Sequence, residues 1–317
     1  MSARENATTG QATTVLVTGA TGVLGRTVIP KLVAAGHRIR ALVHSAKGND
    51  LLRDLGAEPV AASLFEPASL QAALSGSDAV IHLATRIPPS RKLRFPGAWA
   101  QNDRIRREGT TNLVEVALAA GVETFIYPSF VWVYADSSDR WTDVTNGVLA
   151  PLRLLESTLT AEAQVARFAR AGRRGVSLRL GLIYGPESPQ TRELVAYARR
   201  GLAMVLGPDD AYVPSLWVQD AAAAIVAALR APSDVYDIVD DQPLTNKETA
   251  AAMGAALKRD LRRPPTWLGW LVSGDVAIAM ARSRRISNQR FKAVTSWGPS
   301  VPCAREGWAI IADRIAE

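Results

Sequence analysis

The stretch Thr14-Val-Leu-Val-Thr18-Gly19-Ala20-Thr21-Gly22-Val23-Leu24-Gly25 decides how this chain is read. Thr14 to Thr18 has the β-branched, apolar character of a buried strand. It runs directly into three glycines at GxxGxxG spacing, and the apolar-periodic segment Gly25 to Ala35 follows as a helix. Each glycine has its own task in such a strand–turn–helix. Gly19 turns the chain sharply out of the strand, Gly22 leaves the backbone open to a pyrophosphate, and Gly25 lets helix and sheet pack closely. The helix N-terminus then presents unpaired N–H groups and the positive end of its dipole to the phosphates. Gly19, Thr21, Gly22, Val23, Leu24 and Gly25 are therefore the expected cofactor-binding residues of a dinucleotide turn.

Outward from this turn the same alternation continues. Ile39–Val43, Pro59–Ala62, Ala79–Leu83, Thr124–Tyr127 and Val176–Ile183 read as strands. Leu51–Leu55, Pro67–Leu74, Asn102–Ala120 and Ser157–Ala171 read as the helices between them. Strands alternating with helices imply an α/β fold with a parallel sheet covered on both faces. After Gly185-Pro186 the regularity weakens. Ala221–Leu229 is helical, Val235–Val239 is one more strand, and the last seventy-odd residues read as helical.

A dinucleotide site usually places an acid at the end of the second strand, on the ribose 2′-hydroxyl. Here that strand ends Ala41-Leu42-Val43-His44-Ser45-Ala46-Lys47, and the first acid beyond it is Asp50. His44, Ser45 and Lys47 suit a 2′-phosphate, so NADP is expected ahead of NAD.

Composition narrows the remaining classes. The chain has 317 residues, 48% hydrophobic and 21% charged, which is ordinary for a globular protein. A single cysteine, Cys303, excludes an internal disulfide. His37, His44 and His82 lack metal-ligand spacing, so no metal site is expected. The net charge of +7 comes largely from nine basic residues between Lys258 and Lys292. No aromatic interleaving or binding motif accompanies them, so nucleic acid is not an expected partner, and solvated helix faces are the plainer account. Met1–Thr14 shows no secretory pattern. Trp267–Ala281 is short and interrupted by Gly274 and Asp275, so no membrane span is expected and a cytoplasmic location is.

With these residues in hand, the chain resembles the extended and atypical short-chain dehydrogenase/reductases, more narrowly their NAD(P)-dependent epimerase/dehydratase branch. Besides Thr18–Gly25, the likeness rests on Asp78-Ala-Val-Ile-His-Leu-Ala84 and Glu108-Gly-Thr-Thr-Asn-Leu-Val-Glu115. Arg179–Pro186, Val218-Gln-Asp-Ala-Ala222 and Phe291–Pro299 extend it to most of the chain. The resemblance implies a Rossmann-like, doubly wound parallel sheet of about seven strands with a small, mostly helical C-terminal substrate domain. Residues 1–184, completed by about 215–242, would bind NAD(P); 185–214 and 243–317 would form the substrate region. It further implies cofactor contacts from Ser63, Leu64, Leu83, Ala84 and Thr85, a small-molecule substrate, and a homodimer through the two long helices.

The chain also departs from that family. Family reductases carry YxxxK on the helix after the fifth strand, where tyrosine moves a proton and lysine supplies the positive charge that lowers its pKa. None of the six tyrosines here is followed by lysine four residues on. By register, Leu154 stands at the tyrosine position and Thr158 at the lysine position. Ser129 is retained near the strand end, Phe130 stands at or beside the family serine, and Arg106 replaces an asparagine of the long helix. Leucine cannot transfer a proton and threonine carries no charge. Three readings remain open. One is an NADP-dependent oxidoreductase with relocated acid–base groups, for which Ser129, Tyr134 and Tyr184 are the candidates, or with a substrate such as an activated alkene or imine that needs less assistance. The second is a non-redox cyclase, lyase or isomerase whose apolar pocket is shaped by the aromatics Phe130, Trp132 and Tyr134, with Leu154 counted beside Phe130 and Trp132 among the substrate-binding candidates. The third is a non-catalytic NADP-binding sensor.

Overall fold

A computed structural model describes residues 12–316, the side chains of Thr266, Leu268, Trp270, Val272 and Ala316 excepted. The first half runs β1 (Thr14–Thr18), α1 (Val23–Ala34), β2 (Arg38–Val43), α2 (Asn49–Asp54), β3 (Ala57–Ala61), α3 (Pro67–Leu74) and β4 (Ala79–His82). The long helix follows as α4 (Ala100–Arg104), a π turn (Ile105–Gly109) and α5 (Thr110–Ala119). Then come β5 (Thr124–Phe130), β6 (Trp141–Thr142), α6 (Glu156–Arg170), β7 (Arg174–Leu180) and β8 (Leu182–Tyr184). The remainder comprises α7 (Pro189–Ala198), β9 (Tyr212–Val213), β10 (Ser215–Trp217), α8 (Val218–Ala227), β11 (Asp234–Ile238) and β12 (Leu244–Thr245). It closes with α9 (Asn246–Leu257), α10 (Thr266–Ser273), α11 (Asp275–Ala281), β13 (Arg285–Ile286), α12 (Gln289–Val294) and α13 (Ala304–Ala316).

Seven strands form one sheet in the order β11-β7-β5-β4-β1-β2-β3, and every pairing is parallel. The chain leaves β1 in one direction for β2 and β3, then returns to β4 on its other side. That reversal makes the β1/β4 boundary the switch point, where a doubly wound fold opens a crevice at the carboxyl ends of its strands.

The side chains of β1 show why the sheet needs cover on both faces. Val15 and Val17 join the core under α1 and α8, whereas Leu16 joins the one under α3, α5 and α6. All three are fully buried, as the two-residue period of a strand requires. Most of the expected elements differ from the structure only at their ends. Two differences matter for function. The fifth strand runs on to Phe130, which carries Ser129 to the sheet's carboxyl edge. The expected Asn102–Ala120 helix is interrupted by the π turn, a register change that the apolar periodicity does not reveal.

From β8 onward a further core gathers Tyr184, Val195, Trp217, Met253, Trp308 and Ile311 under α7, α9 and α13. α9 is started by a capping box in which Thr245 and Glu248 satisfy each other's backbone N–H groups. The apolar run Trp267–Ala281 becomes α10 and α11, separated at Gly274. Among the described residues no helix is long and apolar enough to cross a membrane, and no cluster of metal-ligating side chains occurs.

Candidate cofactor and substrate site

The glycine turn stands at the switch point, between the ends of β1 and β4. Gly19 takes φ +67°, and a Cβ there would lie 2.5 Å from the Leu83 carbonyl carbon and 2.6 Å from the Ala84 nitrogen. The turn and the β4 exit are therefore in direct backbone contact, which brings Leu83 and Ala84 beside the crevice, with Thr85 exposed next to them. Gly22 is the N-cap of α1 in extended conformation, and it provides no capping side chain. The first turn of α1 contains no acid. A Cβ on Gly22 would have one close neighbour, the Gly19 carbonyl oxygen at 3.1 Å, and would otherwise project into open space. An uncapped, acid-free helix start with a side-chain-free approach fits a diphosphate.

The base of the crevice is fixed by a buried histidine. The His82 ring bridges the Thr18 hydroxyl at 2.7 Å and the Thr110 hydroxyl at 3.1 Å, tying β1 and β4 to α5. Burial holds His82 down at about 3, and the Arg106 charge adds to that, so the ring stays neutral. The sequence offered no sign of this role beyond the presence of a histidine at a strand end.

On the β2 and β3 side of the switch point, His44, Ser45 and Lys47 are exposed together after β2. The adjoining Gly48 approaches the Thr21 methyl, which brings this loop to the glycine turn. Asp50, the first acid beyond β2, is engaged by Arg53 at 2.7 Å in an exposed pair. Ser63 and Leu64 follow β3. The Leu64 carbonyl accepts from the Asn112 amide at 3.0 Å, and Leu64 packs on Gly109 of the π turn. Asn112 and Gly109 were not among the expected site residues; their spacing in Glu108–Glu115 was the available signal.

On the other side of the switch point the chemistry is mostly apolar. Phe130, Trp132 and Leu154 come together with Trp99, Val276 and Met280 at the carboxyl end of β5. Phe130 and Trp132 meet edge to face, 4.7 Å between centroids. Trp270, a further aromatic of the expected substrate region, lies outside the described side chains.

The three expected proton donors are not brought together in this crevice. The Ser129 hydroxyl is buried and donates to Glu162. Tyr134 is only 1% exposed; its hydroxyl donates to the Asp237 carboxylate at 2.9 Å and accepts from Arg179 at 2.8 Å. Tyr184 is buried between Trp217 and Trp308, with its hydroxyl against Gly307 and the Cys303 carbonyl. Burial pushes both phenols above their ordinary pKa, and nearby carboxylates add to it. Tyr134 and Tyr184, named as candidate proton donors, are therefore packed in the interior with their hydroxyls already engaged. The loop from β5 to α6 covers Tyr134, and the C-terminal helix α13 covers Tyr184.

Ser129 and Tyr134 belong instead to a buried chain. Glu162 on α6 pairs with Arg179 on β7 through two bonds, of 3.0 and 2.7 Å. Arg179 continues to Tyr134, and Tyr134 to Asp237 on β11. Glu162 and Arg179 are 8% and 5% exposed, so Glu162 is a salt-bridged interior residue rather than a solvated one.

Known proteins agree with this architecture. The sequence signature of the NAD dependent epimerase/dehydratase family matches residues 15–239. A Streptomyces sp. protein named 3-diazoavenalumate denitrifying reductase is 32% identical over 309 residues, 92% of this chain and 98% of that one. Among solved structures, UDP-glucose 4-epimerase of Thermotoga maritima, crystallised with UDP-glucose, superposes with a TM-score of 0.78 at 20% identity, covering 96% of this chain and 98% of that one. A human epimerase family protein with NADPH superposes with a TM-score of 0.77 at 22% identity, covering 95% and 99%. By its sequence signature, sheet order and glycine turn, the chain belongs to the NAD dependent epimerase/dehydratase family, a branch of the extended short-chain dehydrogenase/reductases, and is an NAD(P)-dependent enzyme of that family.

Proposed function

We propose that the protein is an NADP-dependent reductase whose substrate is already electron-poor enough to accept hydride without a tyrosine acid, with an aryldiazonium, the cationic form of a ring-bound diazo group, as the foremost class. One observation carries this reading. Where the family's proton-relay helix begins, Leu154 packs with Phe130 and Trp132, while the hydroxyls of Ser129 and Tyr134 are committed to Glu162, Asp237 and Arg179. A ketone leaves an alkoxide that needs a proton donor. A diazonium carbon needs none, because hydride replaces nitrogen, which departs as N2. The full-length likeness to a reductase named for a diazo substrate supports the same class.

The cofactor, when bound, supplies the hydride. The glycine turn and the start of α1 hold its diphosphate, and Leu83 and Ala84 close the β4 side. Residues 185–214 and 243–317 form the substrate region, with the Phe130–Trp132–Leu154 cluster at its floor excluding water. His44, Ser45 and Lys47 receive the 2′-phosphate, and Asp50, already paired with Arg53, leaves that position without a free acid.

Two measurements test the reading. Purified protein supplied with NADPH and an aryldiazonium carboxylate should consume nicotinamide absorbance and release N2 in equal amounts, above the rate with heat-inactivated protein. Faster turnover of simple ketones, or product without NADPH oxidation, sinks it. For cofactor choice, Lys47→Glu should lower the NADPH-over-NADH preference by about 10- to 100-fold, the worth of one charge-assisted hydrogen bond. An unchanged ratio by calorimetric titration would remove Lys47 from the phosphate site.

A further inference from the structure

We infer that Arg106 supplies from the long helix the positive charge that α6 lacks, and that it binds the ribose of the nicotinamide half of the cofactor. This rests on the NADP-binding reading above and assigns a residue to it.

Arg106 lies within the π turn Ile105–Gly109, the single irregular segment between α4 and α5. Such turns insert one residue, re-aim the side chains around them and often mark functional sites. Here the turn sends the guanidinium across to α6, where it donates to the Thr158 hydroxyl at 2.6 Å. Thr158 is fully buried and stands at the register position where lysine was expected. The cation has thus reached the same place from the opposite helix. Its neighbourhood fixes which part of the crevice it serves. Its charge acts on His82 at the end of β4 and on Tyr127 of β5, where burial raises the phenol to about 12 and Arg106 opposes that rise. Both strands lie on the β4/β5 side of the switch point, away from the β2 and β3 ends that face the adenosine half.

The guanidinium is also incompletely used. Its Nε is buried and has no hydrogen-bond partner among the described residues. Of the neighbours it acts on, Thr158 takes one N–H, His82 is neutral, and Tyr127 is a protonated phenol. Among the described residues no carboxylate hydrogen-bonds to Arg106, although the adjacent Arg104 and Arg107 meet Glu108 and Glu156. An arginine with spare donors and no anionic partner, at the carboxyl edge of a dinucleotide sheet, suits vicinal ribose hydroxyls, which accept two parallel N–H bonds.

Calorimetric titration of wild type, Arg106→Met and Arg106→Lys with NADPH and with 2′,5′-ADP tests this. 2′,5′-ADP carries the adenosine half alone. The expected result is a 10- to 100-fold weaker NADPH affinity in R106M, part of it restored by the charge alone in R106K, with 2′,5′-ADP affinity unchanged in all three. Wild-type NADPH affinity in R106M overturns the assignment while leaving the cofactor reading intact. Equal loss of both ligands in R106M also overturns it, because the residue then acts through the fold or the adenosine half. Failure of the wild type to bind either ligand overturns the cofactor reading and this assignment with it.

Discussion

Gly22→Val is expected to lower NADPH affinity by about 100-fold or more, the worth of two lost charge-assisted hydrogen bonds, while leaving the chain folded. The two halves of this expectation have separate grounds. Gly22 adopts φ −72° and ψ 175°, an extended conformation that valine accepts without strain. An added Cβ has only the Gly19 carbonyl oxygen within 4 Å, at 3.1 Å, so a shift of a few tenths of an ångström seats it. Valine is a poorer N-cap than glycine, which costs about 1 kcal/mol, and in a chain of this size that lowers the melting midpoint by roughly 1–2 °C. The remaining methyl groups occupy the space a diphosphate needs to reach the first turn of α1. Gly22→Ala should give an intermediate loss. Gly19→Ala offers no such separation, because its Cβ would collide with the β4 backbone at 2.5 Å and at a positive φ. Calorimetric affinity beside thermal unfolding checks the prediction. Undiminished NADPH binding by a folded G22V protein would place the diphosphate elsewhere.

Much of the architecture was legible because its signals are local. The alternation of Val15, Leu16 and Val17 between two cores, the glycine spacing and the strand–helix rhythm each follow from neighbours along the chain. Phe130 and Trp132 do lie together with Leu154, but Tyr134, expected to shape a pocket with the two aromatics, packs into a different cluster. What stayed hidden depends on long-range pairing. Tyr134 and Asp237 lie 103 residues apart, and Arg106 and Thr158 lie 52 apart. No periodicity encodes either pair. The π turn that aims Arg106 leaves the helical composition of Asn102–Ala120 unchanged, so a reading by helical period passes over it. The same limit applies to the tyrosines, which are buried by packing of α13 and the β5–α6 loop from distant parts of the chain.

The buried chain through Arg179 should dominate the stability of the site. One guanidinium serves two carboxylates, Glu162 directly and Asp237 through Tyr134. Arg179→Met keeps much of the volume but strands both acids in the interior, and breaking a buried pair this way costs about 3–5 kcal/mol. The loss should depend on pH. Burial lifts Asp237 to about 7, against an unfolded value near 4. The folded state therefore keeps a proton that the unfolded state releases in that window. The stability this group contributes is complete below about pH 4 and drains as pH rises through about 7. Asp237→Asn removes this share and still accepts from Tyr134, so its stability relative to wild type should improve from pH 5 to pH 8. Asp240, also raised by burial, leaves part of the wild-type slope in place. In R179M Asp237 loses the cation that opposes its rise and should titrate higher still, so urea unfolding should find the variant most impaired at pH 8 and partly recovered at pH 5. An equal deficit at both values would assign the loss to packing rather than to uncompensated charge.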